Sequence, residues 1–260
     1  MIKKYVRTYR KIGDLEIEKN RYDNRAKDEL LKIKNKDFDK TKYSEFINPI
    51  FERYYELIGS LIKPGMKVLE IGAGTGSHTG IIYKTGAHVV AQDISEVSLK
   101  VLRVKIGGSV EIIASDMQSI PIIDRTFDFI VCCNVLSYGC PEAVNKEIFR
   151  LLKPGGSLLI MDSISHNYIY RLNRRIHYYR GNRTKSTLKR VPSFSRIKQF
   201  SERFESSMCL YFGSYYWFVI PLKYLFGRRL AFRINTILEK IKPNGLSSFK
   251  FILVCEKYIN

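Results

Sequence analysis

Long apolar runs are missing from this chain of 260 residues. No stretch of about 18 apolar residues occurs, which excludes a helix that crosses a bilayer. The opening MIKKYVRTYRKIGDLEIE is basic but lacks the apolar core of a secretory signal, so the expectation is a cytoplasmic protein. Cysteine is scarce. Cys132, Cys133, Cys140, Cys209 and Cys255 make an odd count with no CxxC spacing, which argues against a disulfide framework or a zinc centre. HxxxH is also absent, and no metal is expected. Internal repeats and low-complexity tracts are lacking. At 45% hydrophobic and 27% charged residues the composition is that of a globular protein rather than a disordered one.

Acidic residues run short in one place. The net charge is +19. Residues 46–170 hold 11 Lys/Arg against 12 Asp/Glu, whereas residues 171–203 hold 11 against one. An excess this local predicts a surface that meets an anion: phosphate, nucleic acid or an acidic membrane.

Four segments follow from the patterning. Residues 1–45 predict a charged helical arm, with apolar spacing at Leu30, Leu31, Ile33 and Phe38. Residues 46–166 predict the core. An amphipathic helix over 46–62 runs from Ile47 to Leu61 and stops at Lys63-Pro64-Gly65. Apolar strands then alternate with helices: strands at 67–72, 88–92, 110–114, 127–133 and 157–161, helices at 77–85, 95–105 (opened by Ser95) and 141–152. That alternation predicts a parallel sheet with crossover helices. Residues 167–205 form a basic insertion. Residues 206–260 predict two late strands, 208–212 and 249–255, around an aromatic helical stretch, 214–241, read as a lid on the cleft.

The sharpest motif is VLEIGAGTG, Val68–Gly76, a strand followed by Gly72, Gly74 and Gly76 and then a helix. Glycine serves where backbone turns tightly or must approach a ligand. Asp93, at the end of the second strand, suits both hydroxyls of a ribose. Asp116 and Met117, after the third, suit an adenine amino group and ring. Glu70 precedes the glycines. A dinucleotide oxidoreductase would want G-x-G-x-x-G; here position 77 is Ser.

Together these segments resemble the class I S-adenosylmethionine-dependent methyltransferases over roughly residues 45–165. EIGAGTG is similar to their first motif, VAQDIS to the ribose-holding segment, SDM to the adenine-contacting segment, FDFIVCCNVL to the fourth strand and EIFRLLKPGGSLLI to the helix and strand that follow. The resemblance implies an α/β, Rossmann-like sheet of seven strands, mostly parallel, with a C-terminal antiparallel hairpin and helices on both faces. It also implies S-adenosyl-L-methionine as cofactor, with S-adenosyl-L-homocysteine as product. The residues expected to hold it are Glu70, Gly72, Ala73, Gly74, Gly76, Asp93, Ile94, Asp116, Met117 and Asn134.

A general base is needed only for a poor nucleophile. His166, after the fifth strand, is the first candidate, with Asp162 as an alternative and Tyr138 as a residue shaping the pocket. His78, in the first turn after the glycines, is read as packing beside the cofactor. In the basic insertion, Arg171, Arg174 and Arg175 share helical spacing and with Arg183 are expected to bind the acceptor's phosphate. The expected acceptor is a small molecule or glycan, foremost a hydroxyl on a phosphate-linked sugar. Alternatives are RNA, in the basic insertion as a groove, and a lipid or quinone at an acidic membrane surface, reached by the aromatic stretch Tyr211–Arg229. A module that binds the donor without turnover also remains open. Residues 22–26 are the part of the arm that would fold over the cofactor; the other reading is a solvated helical arm or a dimer contact.

Overall fold

The computed structural model describes residues 13–34, 48–240 and 247–259. The expectations at Phe38, Ile47 and the rest of 35–47 lie outside that range. In chain order the elements are α1 (Asp14–Lys34), α2 (Asn48–Leu61), β1 (Lys67–Ile71), α3 (Thr79–Tyr83), β2 (His88–Asp93), α4 (Glu96–Ile106), β3 (Glu111–Ala114) and β4 (Phe127–Cys133). A 3-10 turn at Leu136–Tyr138 precedes α5 (Pro141–Leu151) and β5 (Leu152–Ser163). Then come α6 (Tyr168–Tyr179), α7 (Lys185–Lys189), α8 (Phe194–Ser201), β6 (Ser206–Phe212), α9 (Tyr216–Phe226), α10 (Arg228–Lys240) and β7 (Lys250–Glu256).

The seven strands form one sheet in the order β3-β2-β1-β4-β5-β7-β6. β1 to β5 are parallel; β7 runs antiparallel to both β5 and β6. Side chains alternate faces along a strand, and both faces are covered. Leu69, Ile71, Ile130, Leu158 and Ile160 pack with Val144, Ile148 and Leu151 of α5 and Ile197 and Phe200 of α8. Val68, Ala91, Val131, Leu159 and Met161 pack with Tyr54 and Ile58 of α2 and Leu99 and Leu102 of α4. Each fully buried aliphatic side chain contributes about 1.5–3 kcal/mol, so runs such as KVLEI and FDFIVCC hold the central strands without any polar ladder.

Local signals set the element ends. Ser95 caps α4: its Oγ accepts from the Ser98 N–H at 3.0 Å. Gly107, at φ +88°, ends the same helix. Three expectations need correction. The helix read over 77–85 is only Thr79–Tyr83, because Gly74 and Gly76 keep the chain in left-handed turns up to it. β5 starts five residues earlier than expected. The Lys153–Gly156 turn continues into it, and the Gly155 N–H is bonded to Lys257 O and Tyr258 O at 3.1 and 3.0 Å. The stretch expected as a lid forms, over its described residues 214–240, a helix pair, α9 and α10, joined through buried Val219 and Ala231. Its described residues line no part of the cleft; the lid lies elsewhere in the chain.

Candidate active site

The carboxyl ends of β1, β2, β3 and β4 open into one cavity of about 990 Å³, where open parallel sheets bind ligands. The glycine loop forms one wall. Gly72 N–H and Ala73 N–H both donate to Gln92 O, at 2.8 and 2.9 Å. Gly72 has φ +72°, and a Cβ there would stand 2.6 Å from Val135 Cγ2. Gly74, at φ +55°, has open space where a Cβ would be, so its backbone is what the cavity meets.

Asp93 closes the same wall. Its Oδ2 accepts from Gly74 N–H at 2.8 Å and its Oδ1 from Ser95 N–H at 2.9 Å. Burial lifts its pKa, and the Ser95, Gly74 and Ile94 N–H groups oppose the lift. Asp116 is oriented by Gln118, whose backbone N–H and Nε2 donate to it, each at 2.9 Å. Asn134 is a non-glycine residue at φ +56°. Asn tolerates this conformation better than most. Lys250 donates to its side-chain oxygen, and its N–H donates to Met161 O at 2.8 Å.

The roof is α1. Leu15, Glu18, Tyr22, Arg25, Ala26 and Glu29 all face the cavity. Ala26 is fully buried on its inner side, and polar latches pin the helix. Ser95 Oγ donates to Asp23 Oδ1 at 2.5 Å. Lys105 Nζ reaches both Glu29 and Thr75 O of the glycine loop. Glu18 accepts from Thr184 N–H and Oγ1 at 3.2 and 3.0 Å, and Asp14 from Ser186 N–H at 3.0 Å.

One end of the cavity carries a phenol–guanidinium cluster. Tyr138 Oη lies 2.6 Å from Tyr22 Oη and accepts from Arg21 Nη2 at 3.2 Å and from Arg183 Nη1. The two phenols share one hydrogen bond, and Tyr138 Oη takes the guanidinium N–H groups besides. Burial raises the Tyr22 pKa far above its usual value, with Tyr138 adding to the rise, so Tyr22 stays a neutral phenol.

Gly72, Ala73, Gly74, Asp93, Ile94, Asp116, Met117 and Asn134 line the cavity, as does Tyr138. His78 lines it too, its Nδ1 3.0 Å from Tyr55 Oη. The others expected there do not. Glu70 lies beneath the loop and accepts from Thr79 Oγ1 at 2.5 Å; burial lifts its pKa to about 8. Gly76 faces Leu102 and Ile106 of α4. Asp162 is buried and holds the loop after β4 by accepting from Leu136 N–H at 2.9 Å. The His166 ring packs on Phe194 with centroids 4.2 Å apart, and its buried Nδ1 meets no partner among the described residues. Arg174 turns inward, donating to Tyr170 Oη and Thr187 O at 3.0 Å each, so it does not share an exposed face with Arg171 and Arg175. Neither of those reaches the cavity lining; only Arg183 touches it, through Tyr138.

Sequence reasoning missed Arg21, Lys105 and Lys250. Each acts through a partner between 30 and 117 residues away, and no local pattern marks such a pair.

Residues 69–160 match a family described as a methyltransferase domain. A demethylmenaquinone methyltransferase of Clavibacter sepedonicus is 35% identical over 105 residues, covering 38% of this chain and 41% of that protein. The ubiquinone/menaquinone biosynthesis C-methyltransferase UbiE of Cronobacter sakazakii is 35% identical over 115 residues, covering 39% and 44%. The chain thus spans less than half the length of these curated relatives. Among solved structures, a Haemonchus contortus phosphoethanolamine N-methyltransferase 2 aligns with a TM-score of 0.58 at 15% identity, over 85% of this chain and 59% of that one. The fold is that of the class I S-adenosylmethionine-dependent methyltransferases.

Proposed function

We propose that this chain is an S-adenosylmethionine-dependent methyltransferase whose donor and small-molecule acceptor meet beneath α1. The observation that carries the reading is the convergence of the glycine loop, Asp93, Asp116 and Tyr138 on one cavity. The residues present fit the donor. Gly74 offers bare backbone, and Asp93 and Asp116 keep acceptor capacity, since a carboxylate has roughly four lone-pair sites. Gly72, Ala73 and Gly74 would meet the donor through their backbone, Asp93 would accept from its ribose, and Asp116 with Met117 would hold the adenine. Ile94 and Asn134 complete the lining.

When bound, the donor supplies an electrophilic methyl group on a sulfonium. The chain's own residues do the rest. α1 covers the cavity and excludes water. The loop after β4, fixed by Asp162, sets Tyr138 against the acceptor. Arg21 and Arg183 donate to Tyr138 Oη and, through it, set positive charge behind the point where a negative oxygen on the acceptor would form.

The names of two relatives favour a quinol-type acceptor, and an acidic hydroxyl suits the Tyr138 cluster. A phosphate-linked sugar hydroxyl is the second reading, favoured by the same two arginines. Label transfer separates them. The protein is incubated with methyl-labelled donor and host extract, and lipid, small polar and RNA fractions are counted. Label in the lipid fraction supports the quinol, and label in the small polar fraction supports the sugar. Label in RNA overturns both, as does donor binding with no labelled fraction.

A further inference from the structure

α6 is amphipathic in the reverse sense for a helix packed on a globular protein. At about 100° per residue, Tyr168, Ile169, Leu172, Ile176 and Tyr179 fall within an arc of about 100°. All five point outward, Tyr168 82%, Leu172 58% and Tyr179 79% exposed. Tyr170 and Arg174, on the opposite side, face the protein, bonded to each other and, through Arg174, to Thr187 O. Exposed Arg171 and Arg175 flank the apolar arc on one edge and Arg180 on the other. Residues 168–180 contain four arginines and no acid.

A second outward apolar group rises nearby. α9 and α10 expose Tyr224, Leu225, Phe226 and Ile237 beside exposed Lys223 and Arg233. Both groups emerge from one end of the sheet. α6 follows the end of β5 at Ser163, and α9 follows the end of β6 at Phe212; both residues pair with Lys250. That is also the end at which the cavity opens. The chain leaving α6 runs through Asn182, which accepts from Arg21 at 2.5 Å, to Arg183 on Tyr138.

A basic-edged apolar arc with tyrosine at each end is what lies in a membrane interface: the rings and aliphatic side chains enter the acyl boundary and the guanidinium groups meet anionic headgroups. We infer that α6, supported by α9 and α10, docks this chain on an anionic lipid bilayer with its cavity end toward the lipid. The charge complementarity selects that occupant over a second copy of the chain, which would bring two rows of arginine together. This docking stands on the surface alone and does not require the methyl transfer proposed above.

The test is flotation of the full chain with vesicles of phosphatidylcholine alone and of phosphatidylcholine with phosphatidylglycerol. The expected result is recovery with the anionic vesicles only, falling severalfold at high salt. Leu172→Glu with Ile176→Glu should abolish flotation, and Arg171→Glu with Arg175→Glu should reduce it severalfold, while donor binding by both variants reports an intact fold. Equal recovery with neutral and anionic vesicles, or none with either, overturns the proposal. So does unchanged flotation of the Leu172/Ile176 variant. Overturning it equally are binding of a single-stranded RNA without vesicle binding, and a wild-type dimer that the Leu172/Ile176 variant splits.

Discussion

Tyr22 Oη and Tyr138 Oη stand 2.6 Å apart, although 116 residues separate them in the chain. This contact ties the roof helix to the loop after β4 and closes the end of the cavity where Arg21 and Arg183 converge. Tyr138→Phe removes the oxygen that both guanidinium groups donate to. The expected outcome is a 10- to 100-fold fall in kcat/KM, matching about 1.4–3 kcal/mol for hydrogen bonds to charged groups. Donor affinity should change by less than about threefold, since no donor-facing group is altered. Steady-state rates with the labelled fraction and a donor titration check the two halves.

Asp93 accepts from Gly74 and Ser95 and faces the cavity. Asp93→Ala should weaken donor binding by about 10- to 100-fold through loss of charge-assisted hydrogen bonds. Equilibrium titration measures the affinity, and circular dichroism checks that the fold is kept.

Gly72 and Gly74 both have positive φ, but only Gly72 is crowded. Gly72→Ala adds a clash with Val135 to the backbone strain and should cost about 2–4 kcal/mol. Gly74→Ala carries the strain alone, about 1–2 kcal/mol. Urea unfolding of the two variants should separate them in that order.

Glu70 is lifted to about 8 by burial, against the usual 4.5. The folded state therefore holds a proton that the unfolded chain gives up above pH 4.5. This contribution is complete below the unfolded pKa and is lost as pH rises through 8, on the order of 5 kcal/mol across the window. Wild-type stability should fall over that range and Glu70→Gln should flatten the fall, as read from denaturation midpoints at several pH values.

The parts of the site legible in the sequence are those coded by neighbours. Val68–Gly76 carries its own strand, turn and helix signals, Ser95 caps within three residues, and Asp93 and Asp116 sit at the ends of apolar runs. The roof was harder to read. α1 is mostly charged, and what fixes it is Asp23 on Ser95, Glu29 on Lys105 and Glu18 on Thr184, pairs 72 to 166 residues apart. His166 and Arg174 misled for a different reason. A histidine stacked on a phenylalanine and an arginine bonded to a carbonyl look, as letters, the same as a base and a phosphate ligand. The aromatic stretch 214–241 has the composition of a lid, and only the position of β6 at the sheet edge carries it away from the cavity.

The most direct measurement is calorimetric titration of S-adenosylmethionine into the wild-type chain and the Asp93→Ala variant. Saturable binding of one donor per wild-type chain, weakened in the variant, is the predicted result. No binding to the wild type, or equal binding to both, would contradict the cavity under α1 as the donor site.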